Sequence, residues 1–293
     1  MSASLSISER YKMQVKLNIG GIGVWVNFSE PYKISAILEK YINSNQKDVE
    51  IDIVSDENIK TSAYPLVGED LFCRYYCKEE KMEIEVKGAN CVPAAMIFCD
   101  MKAHYLKAEL YPQLQNSPKV LDRFLCLLPI RRILHIYQAF LFHSSRIEFE
   151  GKAVLFSGAS GIGKTTQALL WKNYENVPYL CNDRSIIRYE KNEWKTYGYF
   201  QDGSEPIADN KCLPLGAIVF LKQGTENIIK KIQGKEALKL LMEQIFLDSW
   251  DYAMIADITI RIVSLLEDIP VYTLQCLPEH SAIECLKNEL KRR

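Results

Sequence analysis

Residues 158–165 carry a pattern that binds phosphate. They read GASGIGKT, which matches the phosphate-binding loop G-x-x-x-x-G-K-[ST]. Glycines let consecutive backbone N–H groups point at one anion, and a helix that follows adds the positive end of its dipole. Lys164 would add a full charge near the β- and γ-phosphates, and Thr165 would offer a hydroxyl to Mg²⁺. The segment therefore predicts a nucleotide site.

Two further side chains are candidates for the chemistry. Phosphoryl transfer needs a carboxylate that takes the proton of the attacking hydroxyl or holds the metal. Asp183 follows the short apolar run 178–181, 19 residues after Lys164, where the end of a strand would face the phosphates. Its spacing leaves open whether it is the base or an Mg²⁺ ligand. His143 lies just upstream of the strand that delivers the loop, which makes it the second candidate.

The elements around these residues predict a mixed sheet. The loop follows the strand-like run 153–157 and opens the helix-like run 166–171. A hairpin with Glu150-Gly151 at its turn delivers the loop strand, and a second hairpin turning at Lys191-Asn192 follows Asp183. An ordinary doubly wound sheet would have parallel neighbours there. We therefore expect an α/β fold with α+β tendency and much antiparallel pairing.

The order of segments predicts two domains. Residues 1–113 predict a hairpin over 14–28 around Gly20 and Gly21, a helix over 34–42 and further strands at 49–53, 71–76, 82–86 and 94–98. This pattern indicates a smaller β-rich α+β domain. The polar segment 111–118 carries two prolines and marks the boundary, so the second domain spans 119–293. The apolar stretch 120–142 predicts two helices that are split near Pro129. The aromatic segment 197–206 is a lid, an acceptor-binding loop or a plain surface loop.

Composition excludes several classes of partner. With 36 basic and 37 acidic residues the net charge is −1, so no global field favours nucleic acid or an anionic membrane. Nine cysteines without a framework, no secretory signal and no long apolar run predict a cytoplasmic protein with free thiols. The close pair Cys73 and Cys77 has no second pair, which favours strand residues over a zinc site. Homo-oligomerisation stays open.

Taken together, residues 143–145, the hairpin, the loop, residues 182–184 and the run 217–221 resemble the catalytic domain of HPr kinase/phosphorylase. The likeness is closer to the related serine kinases found beside peptide-modification genes in bacteria. It covers residues 119–293 and implies the fold of the phosphoenolpyruvate carboxykinase nucleotide domain. It implies ATP and Mg²⁺ as cofactors, catalytic roles for Asp183, His143 and Lys164, and metal binding by Thr165 and Asp183. The residues implied in nucleotide binding are Gly158, Ala159, Ser160, Gly161, Ile162, Gly163, Lys164, Thr165 and Thr166.

Two departures from that family bear on the activity. HPr kinase has two adjacent aspartates where this chain has Asn182-Asp183, and an acidic residue where this chain has Thr166. These differences count against a reverse, phosphorylase-type reaction and against HPr as the substrate. The expected activity is transfer of the γ-phosphate of ATP to a serine-type hydroxyl of a peptide or small protein, which the first domain would recognise. A nucleotide-dependent switch or ATPase that acts through a partner and a small-molecule kinase remain the alternatives.

Overall fold

The computed structural model describes residues 11–88, 93–111, 124–200 and 207–291. Most of the predicted boundary segment 111–118 and residues 201–206 of the segment 197–206 lie outside these ranges. Packing divides the chain into two compact units, Met1–Ile136 and Tyr137–Arg293. No helix among the described residues is both long and apolar enough to cross a membrane.

The first unit is built on one mixed sheet. Its strands are β1 (Met13–Ile19), β2 (Ile22–Phe28), β3 (Val49–Ser55), β4 (Leu66–Glu69), β5 (Cys73–Lys78), β6 (Lys81–Lys87), β7 (Pro93–Asp100) and β8 (Tyr105–Leu110). The order across the sheet is β1-β2-β3-β8-β7-β6-β5-β4. β3 runs parallel to both of its neighbours, and the other pairs are antiparallel. The helices α1 (Ala36–Glu39) and α2 (Ile130–Ile136) accompany it, and residues 124–127 are also helical.

Local pattern explains most of these strands. Alternate residues of β1 and of β6 are buried, as expected where one face of a sheet packs on a core. Gly20 and Gly21 form the turn between β1 and β2 with positive φ angles of 62° and 77°. The predicted hairpin there is confirmed. The helix predicted over residues 34–42 is shorter, and β4 and β8 were not predicted.

The boundary between the units differs from the one that the sequence suggests. The sequence places it between residues 113 and 119, whereas α2 packs with the first unit. The reason is visible in the contacts of Arg131, whose guanidinium donates to the Tyr75 hydroxyl at 2.9 Å and lies 3.5 Å from the Asp70 carboxylate. Both partners belong to the β4–β5 region of the first sheet.

The second unit also has a mixed sheet, with helices on both faces. Its strands are β9 (Ala139–Phe149), β10 (Lys152–Ser157), β11 (Tyr179–Cys181), β12 (Arg184–Glu190), β13 (Glu193–Gly198), β14 (Leu213–Gln223), β15 (Ile228–Ile232) and β16 (Val271–Cys276). Its helices are α3 (Lys164–Glu175), α4 (Gly234–Met242), α5 (Tyr252–Asp268) and α6 (His280–Lys291). The order is β10-β9-β12-β13-β14-β16-β15, with β11 against β9 and β10 also beside β14. β14 is parallel to β10 and β16, and the other pairs are antiparallel. The predicted mixed sheet is confirmed.

Two hydrophobic cores hold this sheet between its helices. On one face, Leu155 packs with residues of α4 and α5 such as Leu241 and Ile258. On the other face, Val154 and Phe156 pack with residues of α3 and α6. Because successive residues of β10 face opposite cores, the strand that leads into the phosphate-binding loop is buried on both sides. The start of the loop is therefore held rigidly.

One element prediction is wrong. The helical stretch predicted to Phe142 ends at Ile136, and Ala139–Phe149 forms β9. The break at Pro129 is confirmed, since residues 124–127 are helical and α2 begins at Ile130. The error arises because residues 139–142 are apolar without alternation, and such a run fits a buried strand as well as a helix. Pairing with β12 decides between them.

Candidate functional site

The loop that matches the phosphate-binding motif, residues 158–163, connects β10 to α3. Gly158, Gly161 and Gly163 have φ angles of 134°, 77° and 111°, which L-residues with side chains rarely adopt. A Cβ atom at Gly161 or Gly163 would meet nothing within 4 Å. The glycines there serve the backbone conformation, and the space beside them is open. Gly163 caps the first turn of α3, so the unpaired N–H groups of that turn face the loop.

Lys164 lies over this loop with its charge largely buried. Its side chain donates to the carbonyl oxygens of Gly158 at 3.0 Å and Ala159 at 3.1 Å, and the residue is 8% exposed. Burial lowers the pKa of the Lys164 ammonium, and the negative charge of Asp183 partly opposes that change. An anion in the loop would supply the countercharge that the two carbonyls lack. The arrangement suits a phosphate.

Thr165 is held by Asn182. The Thr165 hydroxyl donates to Asn182 Oδ1 at 2.7 Å, and the Tyr179 hydroxyl donates to the same oxygen at 2.5 Å. Tyr179 lies on β11, and Asn182 follows that strand directly. The sequence predicts Thr165 and Asp183 as a metal-binding pair, and the structure places Asn182 against the threonine. Sequence reasoning missed this contact, because it joins residues that are 17 positions apart in the chain.

Asp183 lies between the side chains of His143 and Arg184. His143 Nε2 is 3.4 Å from Asp183 Oδ1, and Arg184 Nε donates to Asp183 Oδ2 at 3.2 Å. The hydrogen bond from His143 is the largest cause that lowers the pKa of Asp183, burial opposes it, and the charges of Arg184 and His143 lower the pKa further. Both His143 and Asp183 keep about a quarter of their side chains exposed (25% and 26%). The carboxylate is therefore ionised and accessible.

Sheet register brings His143 to this place. His143 is paired with Arg184 across β9 and β12, one residue from Asp183. Its backbone N–H donates to the Gln244 carbonyl at 2.8 Å, so the segment after α4 runs along β9. Phe246 of that segment lies under Arg184, with the guanidinium carbon 4.4 Å from the ring centroid. Sequence reasoning gave Arg184 no role and did not find Phe246, since both act through tertiary contacts.

Behind the site, β9 carries a fully buried arginine. Arg146 donates to the backbone carbonyls of Thr196 at 3.0 Å, Lys211 at 2.8 Å and Asp209 at 2.6 Å. Its neighbour Ser145 donates to the Asn182 carbonyl at 2.9 Å. These bonds tie β9 to the segments that carry Asn182 and the loop after β13. The backbone under Asn182 is therefore fixed on more than one side.

The donors at the loop suit a magnesium ion bound with phosphate. Mg²⁺ prefers oxygen ligands and is bound in such sites through one or two carboxylates or hydroxyls together with substrate phosphates. Thr165 and Asp183 offer a hydroxyl and an ionised carboxylate of this kind. Asn182 Oδ1 already accepts two protons, so this oxygen fits a role in holding Thr165 better than a role as ligand.

One group elsewhere among the described residues has the spacing of metal ligands. Glu175, His280 and Glu284 bring their ligand atoms within 4.8 Å of one another. The Lys287 ammonium lies 2.5 Å from Glu175 and 3.7 Å from Glu284, so a cation of the protein already pairs with both carboxylates. We describe this group as an ion-pair network between α3 and α6.

Comparison with known proteins identifies the family. The family model described as SynChlorMet cassette protein ScmC matches residues 106–280, which is more than half of the chain. The chain belongs to the ScmC family. The matched range contains His143, the phosphate-binding loop and Asp183. No curated protein matches this member of the ScmC family.

Among solved structures, the chain is weakly similar to the Hpr(Ser) kinase/phosphatase from Coxiella burnetii. The two share 13% sequence identity with a TM-score of 0.30, over 52% of this chain and 93% of that one. The roles predicted for individual site residues stay predictions.

Proposed function

We propose that this ScmC-family chain is an ATP-dependent kinase that transfers the γ-phosphate to a serine-type hydroxyl of a peptide or small protein. The observation that carries the proposal is the position of Asp183. Its carboxylate contacts His143, and its charge acts on the Lys164 ammonium by opposing the lowering of the pKa that burial causes. A phosphate-binding lysine and an accessible carboxylate at one place are what phosphoryl transfer to a hydroxyl requires.

In the proposed reaction, the acceptor oxygen attacks the γ-phosphorus, and the bond to the oxygen that leaves with ADP breaks. Lys164 and the backbone N–H groups of the loop stabilise the negative charge of the phosphates. Asp183 accepts the proton of the hydroxyl, and His143 orients the carboxylate. Because its pKa is lowered, Asp183 is a weak base at neutral pH, and it takes the proton late, as the new P–O bond forms. Mg²⁺, held through Thr165 and Asp183, would neutralise charge on the phosphates.

We further propose that the second unit has the carboxykinase-like nucleotide fold and that the first unit recognises the acceptor. The edge strand β4 of the first sheet supports the second part of this proposal, whereas the other edge strand, β1, already pairs with residues 41–44. An extended peptide can add a strand to such an edge, with main-chain hydrogen bonds for affinity and side-chain contacts for specificity.

The proposal is tested with γ-labelled ATP, Mg²⁺ and a library of serine-containing peptides, each paired with its alanine counterpart. We expect label in some serine peptides and none in their alanine versions. Asp183→Asn is expected to bind ATP and to lose at least about 100-fold in transfer rate, the usual contribution of a general base. Lys164→Ala should lose transfer and bind ATP weakly. Normal transfer by Asp183→Asn would remove the role assigned to Asp183.

A nucleotide-dependent switch or ATPase is the second candidate. The observation that favours it is the neutral Asn182 beside Asp183, because a single carboxylate must then serve both the metal and the proton. In the same assay, label that appears only as inorganic phosphate, with every peptide present, would favour the switch. Label in a metabolite mixture alone would favour a small-molecule kinase.

A further inference from the structure

We propose that Tyr179 and Asn182 form a positioning pair that aims the Thr165 hydroxyl at the metal without adding charge, and so sets how strongly nucleotide binding depends on Mg²⁺. The inference rests on the proposed function only in that the loop binds a nucleotide together with a metal. It concerns residues of this chain to which neither the loop motif nor the family comparison assigns a role.

Hydrogen bonds hold the backbone N–H, the backbone carbonyl and the side-chain oxygen of Asn182. Its backbone N–H donates to the Ile207 carbonyl at 3.1 Å, and its own carbonyl accepts the Ser145 hydroxyl at 2.9 Å. The side-chain oxygen accepts from Thr165 and Tyr179, and the residue is 4% exposed. Since an amide oxygen has two lone pairs, these two bonds use both.

Tyr179 fixes which way the amide faces. If the Asn182 amide rotated by half a turn, its NH₂ group would meet the hydroxyls of Tyr179 and Thr165. The two hydroxyls would then have to accept instead of donate. In the observed orientation both hydroxyls donate to the amide oxygen. Tyr179 therefore stabilises the orientation in which Thr165 is a donor to Asn182.

The direction of the Thr165 hydroxyl proton decides whether Thr165 gives a lone pair to the Asn182 amide. A threonine hydroxyl has one proton and two lone pairs. With its proton directed at Asn182, Thr165 donates to the amide oxygen and gives no lone pair to Asn182. If the amide were flipped, one lone pair would be used by the NH₂ group. The pair thus prepares Thr165 as a metal ligand before the nucleotide arrives.

The charge of residue 182 also affects how nucleotide binding depends on the metal. A carboxylate at residue 182 could accept the same two protons, but it would add a negative charge beside the phosphates and near the ion. It would repel the nucleotide when no metal is present and attract the metal when the nucleotide is bound. Asn182 keeps the geometry and avoids both effects. Binding without metal is then stronger, and the gain on adding metal is smaller.

The test is the affinity for fluorescent N-methylanthraniloyl-ATP (mant-ATP) measured in Mg²⁺ and in EDTA. Tyr179→Phe should lower the ratio of the two affinities by about 2- to 10-fold, the value of one hydrogen bond, and leave the affinity in EDTA unchanged. Asn182→Asp should weaken binding in EDTA and raise the ratio at least about 10-fold. Tyr174→Phe is the matched control, because Tyr174 is an exposed tyrosine on α3 whose ring lies against His280. We expect it to behave as wild type.

A double-mutant cycle separates positioning from general damage to the fold. Thr165→Val removes the hydroxyl that the pair is argued to aim, so adding Tyr179→Phe to it should change the Mg²⁺ ratio no further. Additive effects of the two changes, or an unchanged ratio in both Tyr179→Phe and Asn182→Asp, would overturn the inference and leave the proposed function standing. Absence of mant-ATP binding by the wild-type protein would overturn both.

Discussion

Lys164→Met is the change that tests the binding site most directly. In the structure, the Lys164 ammonium is buried and donates to the carbonyls of Gly158 and Ala159, and no carboxylate of the described residues is in hydrogen-bond contact with it. Its lowered pKa means that the folded protein disfavours the charge that the nucleotide needs. The residue is therefore expected to contribute much to nucleotide binding and little to stability.

The loss of ATP affinity and the change in stability have separate causes. A hydrogen bond to a charged phosphate contributes about 1.5–3 kcal/mol, so the substitution should weaken ATP binding by about 10- to 150-fold. Two bonds to carbonyls are lost, at about 0.5–1.5 kcal/mol each, but the cost of burying the charge is relieved as well. We expect the two changes in stability to offset one another to within about 1 kcal/mol, which moves the melting temperature of a unit of this size by about 2–4 °C.

The assay is mant-ATP titration, with thermal unfolding of the nucleotide-free protein beside it. Lys172→Met is the control, since it removes the same charge from an exposed position of the same helix. Wild-type affinity in Lys164→Met would refute the reasoning. So would an equal loss in Lys172→Met, because the effect would then come from net charge and not from the loop.

Three other predictions follow from named contacts. Because the pKa of Asp183 is lowered, its contribution to stability is present above the ordinary value of 3.8 and is lost as pH falls through the folded value. Urea unfolding curves of wild type and Asp183→Asn should therefore differ near pH 7 and converge in acid, and a constant difference would contradict the pKa. Burial raises the pKa of Cys99 to about 12, so iodoacetamide at neutral pH should label the exposed Cys212 well before Cys99, as followed by mass spectrometry. Arg146→Met removes the donor from three backbone carbonyls, so it should lower the free energy of unfolding in urea by more than about 3 kcal/mol. A loss below about 1 kcal/mol would show that these three hydrogen bonds are not needed for stability.

The loop and its flanks could be predicted because their information is local. Gly158, Gly161 and Gly163 have positive φ, and the strand before them and the helix after them lie where the pattern places them. The mixed sheet could also be predicted, since turn chemistry indicates antiparallel neighbours. Lys191 and Asn192 do turn with positive φ angles of 52° and 60°, as a tight hairpin requires.

Other elements could not be predicted from pattern alone. The run 139–142 is buried among neighbours on both faces, and a uniform apolar run has no period that separates strand from helix. β4 and β15 are short edge strands with several exposed residues, so they lack the alternation by which strands are recognised. In each case, pairing with another strand of the sheet stabilises a strand that its local residue pattern does not predict.

By itself, the sequence predicted where phosphate would bind, because the motif of the loop needs only residues that are adjacent in the chain. It also pointed to Asp183 and His143, although it placed His143 at the end of a helix. Only the tertiary structure decided what each contacts. The register of β9 against β12 sets His143 beside Asp183, and the position of β11 beside β9 helps to bring Tyr179 and Asn182 to Thr165. Contacts between residues far apart in the chain depend on strand order and register, which no short segment encodes.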